Sequence, residues 1–171
     1  NSKKSSRKVV QLLGSGTILR EVIEAAAILK TDFDVDADVW SATSFNELRR
    51  DGLITSRWNM LHPEETPRQS FVEECLEGAK GPVVASTDYM KSYADQIREF
   101  ISGTYTVLGT DGFGRSDTRE RLRHFFEVDR YFIVVAALTA LVEDNVVDVG
   151  QVAAAIKKFG IDPEKVNPAL S

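Results

Sequence analysis

Residues 9–13 form a short apolar run with one interruption, Gln11, and the run stops at Gly14-Ser15-Gly16. An apolar run of that length closed by glycine predicts a buried strand. From about Thr17 the period changes. Ile18, Val22, Ala25, Ala26 and Leu29 recur at helical spacing and predict a helix with one buried stripe. Residues 37–41 (ADVWS) are a second strand candidate. Gly81-Pro82 introduces Val83-Val84-Ala85, a third, and Ile97 and Phe100 close the helix that follows it. Residues 105–108 predict a fourth strand.

Strands that alternate with helices predict a parallel sheet covered on both faces, with right-handed crossovers. The stretch 46–67 is different, being long, mixed and polar. It predicts a short helix and then an irregular excursion ending near Pro67. The last third reads as helical. Ser116 is placed to cap a helix carrying Leu122, Phe125 and Phe126, and Asp129 the next, with Phe132, Val135, Ala136, Leu138 and Val142 inside it. Ile133-Val134-Val135 has strand propensity, but the alanines and leucines that follow run too far for a strand. Asp148 is placed to cap a final helix closed by Gly160.

Composition narrows the class. With 171 residues, 43% hydrophobic and 27% charged, the chain has the size and balance of one folded domain. Residues 1–8 (NSKKSSRK) read as a linker or a cloning remnant, and 9–171 as the domain. The longest apolar stretch, 131–142, falls short of the roughly 20 residues that cross a bilayer. A formal net charge of −5 gives the chain as a whole no pull toward nucleic acid or an anionic membrane. Cys75 is the one cysteine, which excludes an internal disulfide and fits a reducing cytoplasm. Two histidines leave little for a metal.

The candidate chemistry is sparse. Gly14-Ser15-Gly16-Thr17 lies between a strand and a helix, where free N–H groups and the helix dipole favour an anion. The dinucleotide fingerprint requires a small residue where Leu19 stands and a carboxylate after the second strand, where Ser41 to Ser44 supply none. A tight turn with a helix cap and a small-ligand or nucleotide module are the two readings of this loop. The loop Asp111-Gly112-Phe113-Gly114-Arg115-Ser116-Asp117 follows the fourth strand. Phe113 between two glycines is either an exposed interface anchor, with Arg115 beside it, or an inward-packed side chain of a structural turn. Residues 57–65 hold Trp58, His62 and two glutamates. Pro63 prevents these groups from sharing a helix face, so the segment reads as a loop packed on a neighbouring domain, with Trp58 and Met60 in the contact. His124 sits among arginines on what reads either as a solvated helix face or as an arginine cluster for an anionic group or partner domain. The acids beside Cys75 would raise its pKa and argue against a nucleophile.

Several long stretches resemble one family. They are residues 10–22 (VQLLGSGTILREV), 44–52 (SFNELRRDG), 57–63 (RWNMLHP), 85–91 (ASTDYMK), 108–117 (LGTDGFGRSD) and 162–168 (DPEKVNP). Together they resemble the C-terminal domain of the homodimeric bacterial pyruvate dehydrogenases. The resemblance implies a full-length subunit that decarboxylates pyruvate with thiamine diphosphate and Mg²⁺. It also implies reductive acetylation of lipoyl groups on a dihydrolipoyl acetyltransferase core. The implied partners are the N-terminal and middle domains of the same subunit, which hold the cofactor, a second copy of the subunit, and that core. This chain has no Gly-Asp-Gly diphosphate motif, so no catalytic, cofactor or metal residue carries over, and the domain alone is expected to be inactive. The candidate positions are interface residues: Asp111, Phe113, Gly114, Arg115, Ser116, Trp58 and His62. The implied fold is α/β, the three-layer sandwich of the transketolase C-terminal domain. Four parallel strands are expected here in the order 2-1-3-4, with an antiparallel edge strand upstream of residue 1.

Overall fold

The computed structural model describes residues 8–170. Strands β1 (Val9–Gly14), β2 (Asp36–Ser41), β3 (Val83–Ser86) and β4 (Tyr105–Leu108) form one sheet in the order β2-β1-β3-β4. Every pairing is parallel, so each neighbour is reached by a crossover and no hairpin is present in the sheet. This is the order the resemblance implies. The carbonyl of Lys8 already accepts the Asp36 N–H at 2.9 Å, so the ladder begins one residue before β1. The rest of the expected linker, residues 1–7, lies outside the described residues. Within them β2 has a strand on one side only.

Alternation along β1 divides the core. Val10 and Leu12 point to one face, where Val22, Ala25 and Leu29 of α1 (Leu19–Phe33) meet Ile133, Val134, Ala137, Leu138 and Leu141 of α6 (Arg130–Glu143). Helix α7 (Val149–Phe159) closes that layer through Ala155. Leu13 points to the other face. There Val83, Ala85 and Tyr105 meet Phe45 of α2 (Phe45–Leu61), Val72 of α3 (Phe71–Cys75) and Ala94 of α4 (Lys91–Asp95). Gln11 points to this second face and is buried. Its Nε2 donates to Asp38 Oδ2 at 2.8 Å and to the Lys80 carbonyl at 3.0 Å, while its Oε1 accepts from Trp40 Nε1 at 2.8 Å. A fully partnered amide of this kind costs little to bury and pins β2 to β1 in register.

Most of the local punctuation is where the sequence puts it. Asp129 accepts the N–H groups of Tyr131 and Phe132 at 3.0 Å, Asp148 caps α7, and Gly160 ends it in the left-handed region. Three expectations are corrected. The short helix and excursion expected over 46–67 are instead a 17-residue helix, α2, followed by a loop. Ser44 caps it by accepting the Glu47 N–H, no proline interrupts it before Pro63, and Gly52 has room for nothing but hydrogen because the Phe100 ring lies against it. The cap of α5 (Arg119–Phe125) is Thr118 and not Ser116; Thr118 Oγ1 accepts from the Arg121 N–H. The helix after β3 ends at Asp95, and Phe100 belongs to a separate single turn of 3₁₀ helix.

Candidate functional site

The four strands end on the same edge of the sheet, and the helices leave β1 and β3 toward opposite faces. Open α/β sheets bind ligands in the crevice that such a divergence creates. Here several polar groups of the crevice are spent on one another, while the buried Ser86 Oγ at the end of β3 has no hydrogen-bond partner. Ser15 Oγ donates to Thr87 Oγ1 at 2.9 Å, and Thr17 Oγ1 donates to Asp88 Oδ2 at 3.4 Å. Asp88 therefore brings a carboxylate to the place beside Gly16 where a phosphate would stand. A Cβ on Gly14 would lie 2.9 Å from Leu19 Cα, so that glycine serves the close approach of the helix to the strand. The geometry suits a tight turn with an internal carboxylate and opposes an incoming anion.

The loop after β4 is tied to the loop after β3. The Thr110 N–H donates to the Tyr89 carbonyl at 2.8 Å and Thr110 Oγ1 to the Asp88 carbonyl at 2.7 Å. Asp111 Oδ1 accepts the Lys91 N–H at 2.9 Å, so this predicted interface residue holds the first turn of α4. Gly112 has φ +103°, and any Cβ there would overlap the Pro168 carbonyl of the C-terminal segment. Between these ties Phe113 points outward and is 82% exposed. Gly114 faces open space, Ser116 is exposed, and the Arg115 guanidinium lies 4.2 Å from the Phe125 ring centre. Five of the predicted interface residues thus share one loop, tethered at its start, with an exposed aromatic ring at its tip.

Trp58 and His62 are far from that loop along the chain and form a different cluster with Arg68. The imidazole stacks on one face of the indole at 4.3 Å, and the guanidinium covers it at 3.6 Å from the ring centre. Asn59 grips the backbone of residue 68 twice, through Oδ1 at 2.8 Å and Nδ2 at 2.9 Å. This closes the loop 62–70 against the end of α2. Next to it an apolar groove of about 510 Å³ runs between β2, α2 and α3, with Leu13, Trp40, Leu48, Phe71, Cys75 and Leu76 among its walls.

One cluster has no local signal in the sequence. Glu21 on α1 is 6% exposed and meets Arg123 Nη1 at 2.8 Å, the Arg130 backbone N–H at 3.1 Å and Arg130 Nε at 3.0 Å. Burial opposes its charge, but the hydrogen bonds and charges of Arg130, with the charge of Arg123, outweigh burial and hold the carboxyl below its ordinary value. His124 Nδ1 lies 2.9 Å from Asp129 Oδ2 in the same elbow. The partners of Glu21 come from more than a hundred residues away, which a local pattern cannot reveal.

These residues do not fit a thiamine diphosphate–Mg²⁺ pair. Among the described residues no three of His, Cys, Asp and Glu converge to hold a metal, and the one glycine loop at a helix start already faces a carboxylate. Among the same residues no helix is long and apolar enough to cross a membrane.

The family model of the transketolase-like TK C-terminal domain matches residues 1–129. A curated protein from Pseudomonas aeruginosa called pyruvate dehydrogenase E1 component is 64% identical over 97% of this chain, which spans 19% of that protein. Proteins with the same description from Cupriavidus necator and Escherichia coli K12 are 59% and 57% identical over 93% and 97% of the chain. The chain spans 18% and 19% of their lengths. A solved structure described as a split gene transketolase, inactive beta4 tetramer, superposes with a TM-score of 0.55 at 16% identity. It covers 81% of this chain and 41% of the other, and at that identity it speaks to the fold alone.

Proposed function

Since the chain belongs to the transketolase-like TK C-terminal domain family, we propose that it is the C-terminal domain of a pyruvate dehydrogenase E1 component. The observation that carries the reading is identity of 57–64% over nearly the whole chain to proteins of that description. In this reading the full-length subunit decarboxylates pyruvate and passes the acetyl group to lipoyl groups of a dihydrolipoyl acetyltransferase core. Thiamine diphosphate and Mg²⁺ would supply the carbanion chemistry, held by the preceding domains. This domain would take part in assembly in the cytoplasm, next to a second copy of the subunit. The exposed Phe113 on its tethered loop and the Trp58–His62–Arg68 cluster support that role, since preorganised aromatic and arginine groups are the usual anchors of protein contacts.

The test compares the full-length subunit with the 171-residue chain. With thiamine diphosphate and Mg²⁺, the full-length subunit is expected to release CO₂ from pyruvate and the 171-residue chain none. Turnover by the short chain would sink the assembly reading, and a full-length protein inert toward pyruvate would sink the E1 reading.

A further inference from the structure

Helix α2 has two apolar sides. Its inner side docks through Phe45, Leu48 and Gly52, which reaches the Phe100 ring. After Gly52 no residue of the helix is buried. The remaining nine residues extend about 13 Å at the helical rise of about 1.5 Å per residue. This arm still carries large apolar side chains: Leu53, Ile54, Met60 and Leu61 are 41%, 63%, 70% and 51% exposed. Leu53 and Met60 are seven residues apart, and so are Ile54 and Leu61, so the four make one stripe. That stripe faces away from the side that holds Phe45, Leu48 and Gly52. A helix apolar on opposite sides is built to lie between two bodies. The second body is missing from the described contacts.

We infer that this outer stripe of α2 is clasped by the preceding domains of the same subunit, in an apolar groove that places a carboxylate opposite Arg57. The inference rests on the E1 reading above and names the surface through which the domain is held. Two observations select this occupant. First, the chain spans only 19% of the relative from Pseudomonas aeruginosa, so most of the polypeptide lies elsewhere. Second, Arg57 stands in the middle of the stripe, exposed and with no ion-pair partner among the described residues. Two copies of the arm packed on each other about a twofold axis would bring Arg57 against Arg57, which disfavours a second copy. A groove with one acid satisfies both the stripe and the charge. The Trp58–His62–Arg68 stack and the Asn59 grip fix the end of the arm, so little ordering is left to be lost on docking. Ile54 also borders the groove beside β2, and the contact surface continues into it.

The test uses Ile54→Asp combined with Met60→Asp, made both in the full-length subunit and in the 171-residue chain. In the short chain the double variant should keep its circular dichroism spectrum and melt within about 3 °C of the parent, because both side chains are already in water. In the full-length subunit it should speed release of this domain by limited proteolysis about tenfold. Arg57→Glu should do the same to a smaller extent, and a reversed acid in the groove should restore it. Proteolysis of the full-length variants at the parental rate would overturn the inference. So would unfolding of the short variant, or a short chain that is dimeric until the double variant makes it monomeric. Failure of the wild-type full-length protein to decarboxylate pyruvate would count against the E1 reading and leave the proteolysis result standing on its own.

Discussion

The two faces of the sheet are built to different degrees of closure. On the α1–α6–α7 face, aliphatic side chains from both strands and helices are fully buried, and the Glu21 knot ties the helices together at the strand ends. On the α2–α3–α4 face the core is smaller and includes the rings of Phe45, Phe100 and Tyr105, a groove of about 510 Å³ remains beside β2, and the second half of α2 has no buried residue. The first face buries most of its large apolar side chains, and Ile23, Tyr131 and Val149 are exposed singly, one on each of its helices. The second leaves an apolar stripe, an open strand edge and a groove together, and surface of that kind on a folded domain marks a site of contact. Stability and assembly are thus separated across one sheet.

Substitutions should divide along the same line. The largest loss is expected from Leu138→Ala on the closed face, where a fully buried side chain leaves a cavity. About 3 kcal/mol should be lost, read as a shift in the denaturation midpoint. A loss under about 1 kcal/mol would mean that this face is looser than its burial indicates.

Glu21→Gln should come second, at about 2 kcal/mol, because it leaves Arg123 and Arg130 without their shared charge. Its pH dependence carries a defined sign. The folded-state pKa of Glu21 is depressed, so its stabilisation is fully present above its unfolded pKa and fades as pH falls through the folded value. The gap between wild type and Glu21→Gln should therefore be widest near neutrality and shrink on acidification below the ordinary carboxylate range. A gap that stays constant down to pH 2 would show that the charge is not what the knot uses.

The smallest effect belongs to the open face. Phe71→Gln removes a half-exposed ring at the rim of the groove and should change the stability of the 171-residue chain by no more than about 0.5 kcal/mol. A loss as large as that of Leu138→Ala would erase the distinction between the faces.

The features legible in the sequence were those decided within a few residues. Asp129, Asp148 and Gly160 act on N–H and C=O groups two to four positions away, so their patterns are local. The strand order came from family resemblance, since nothing in the residues alone ranks four similar strands. The full length of α2 was obscured because its outer stripe looks like disorder in a polar stretch until the inner side is identified. Thr118 and Ser116 are equivalent as sequence signals, and the course of the backbone past Gly114 selects between them. Phe113 is open between two readings in the sequence, and the close approach of Gly112 to the Pro168 carbonyl beside it involves a partner more than fifty residues away. Asp111 and Asp88 likewise gained their roles from loops that only the fold brings together.

The placement of β1 in the interior of an all-parallel sheet has a kinetic consequence. Both of its neighbours, β2 and β3, lie downstream, and β3 begins only at Val83. β1 therefore stays unsatisfied on one edge until residues 83–86 are available, some seventy positions downstream. α6, which completes the helical layer beside α1, comes later still. Closing such distant pairings costs loop entropy before any burial repays it, which places folding in the slower range for a domain of this size, milliseconds to seconds. During that interval residues 9–13 are an exposed apolar strand, a segment of the kind that chaperones shield.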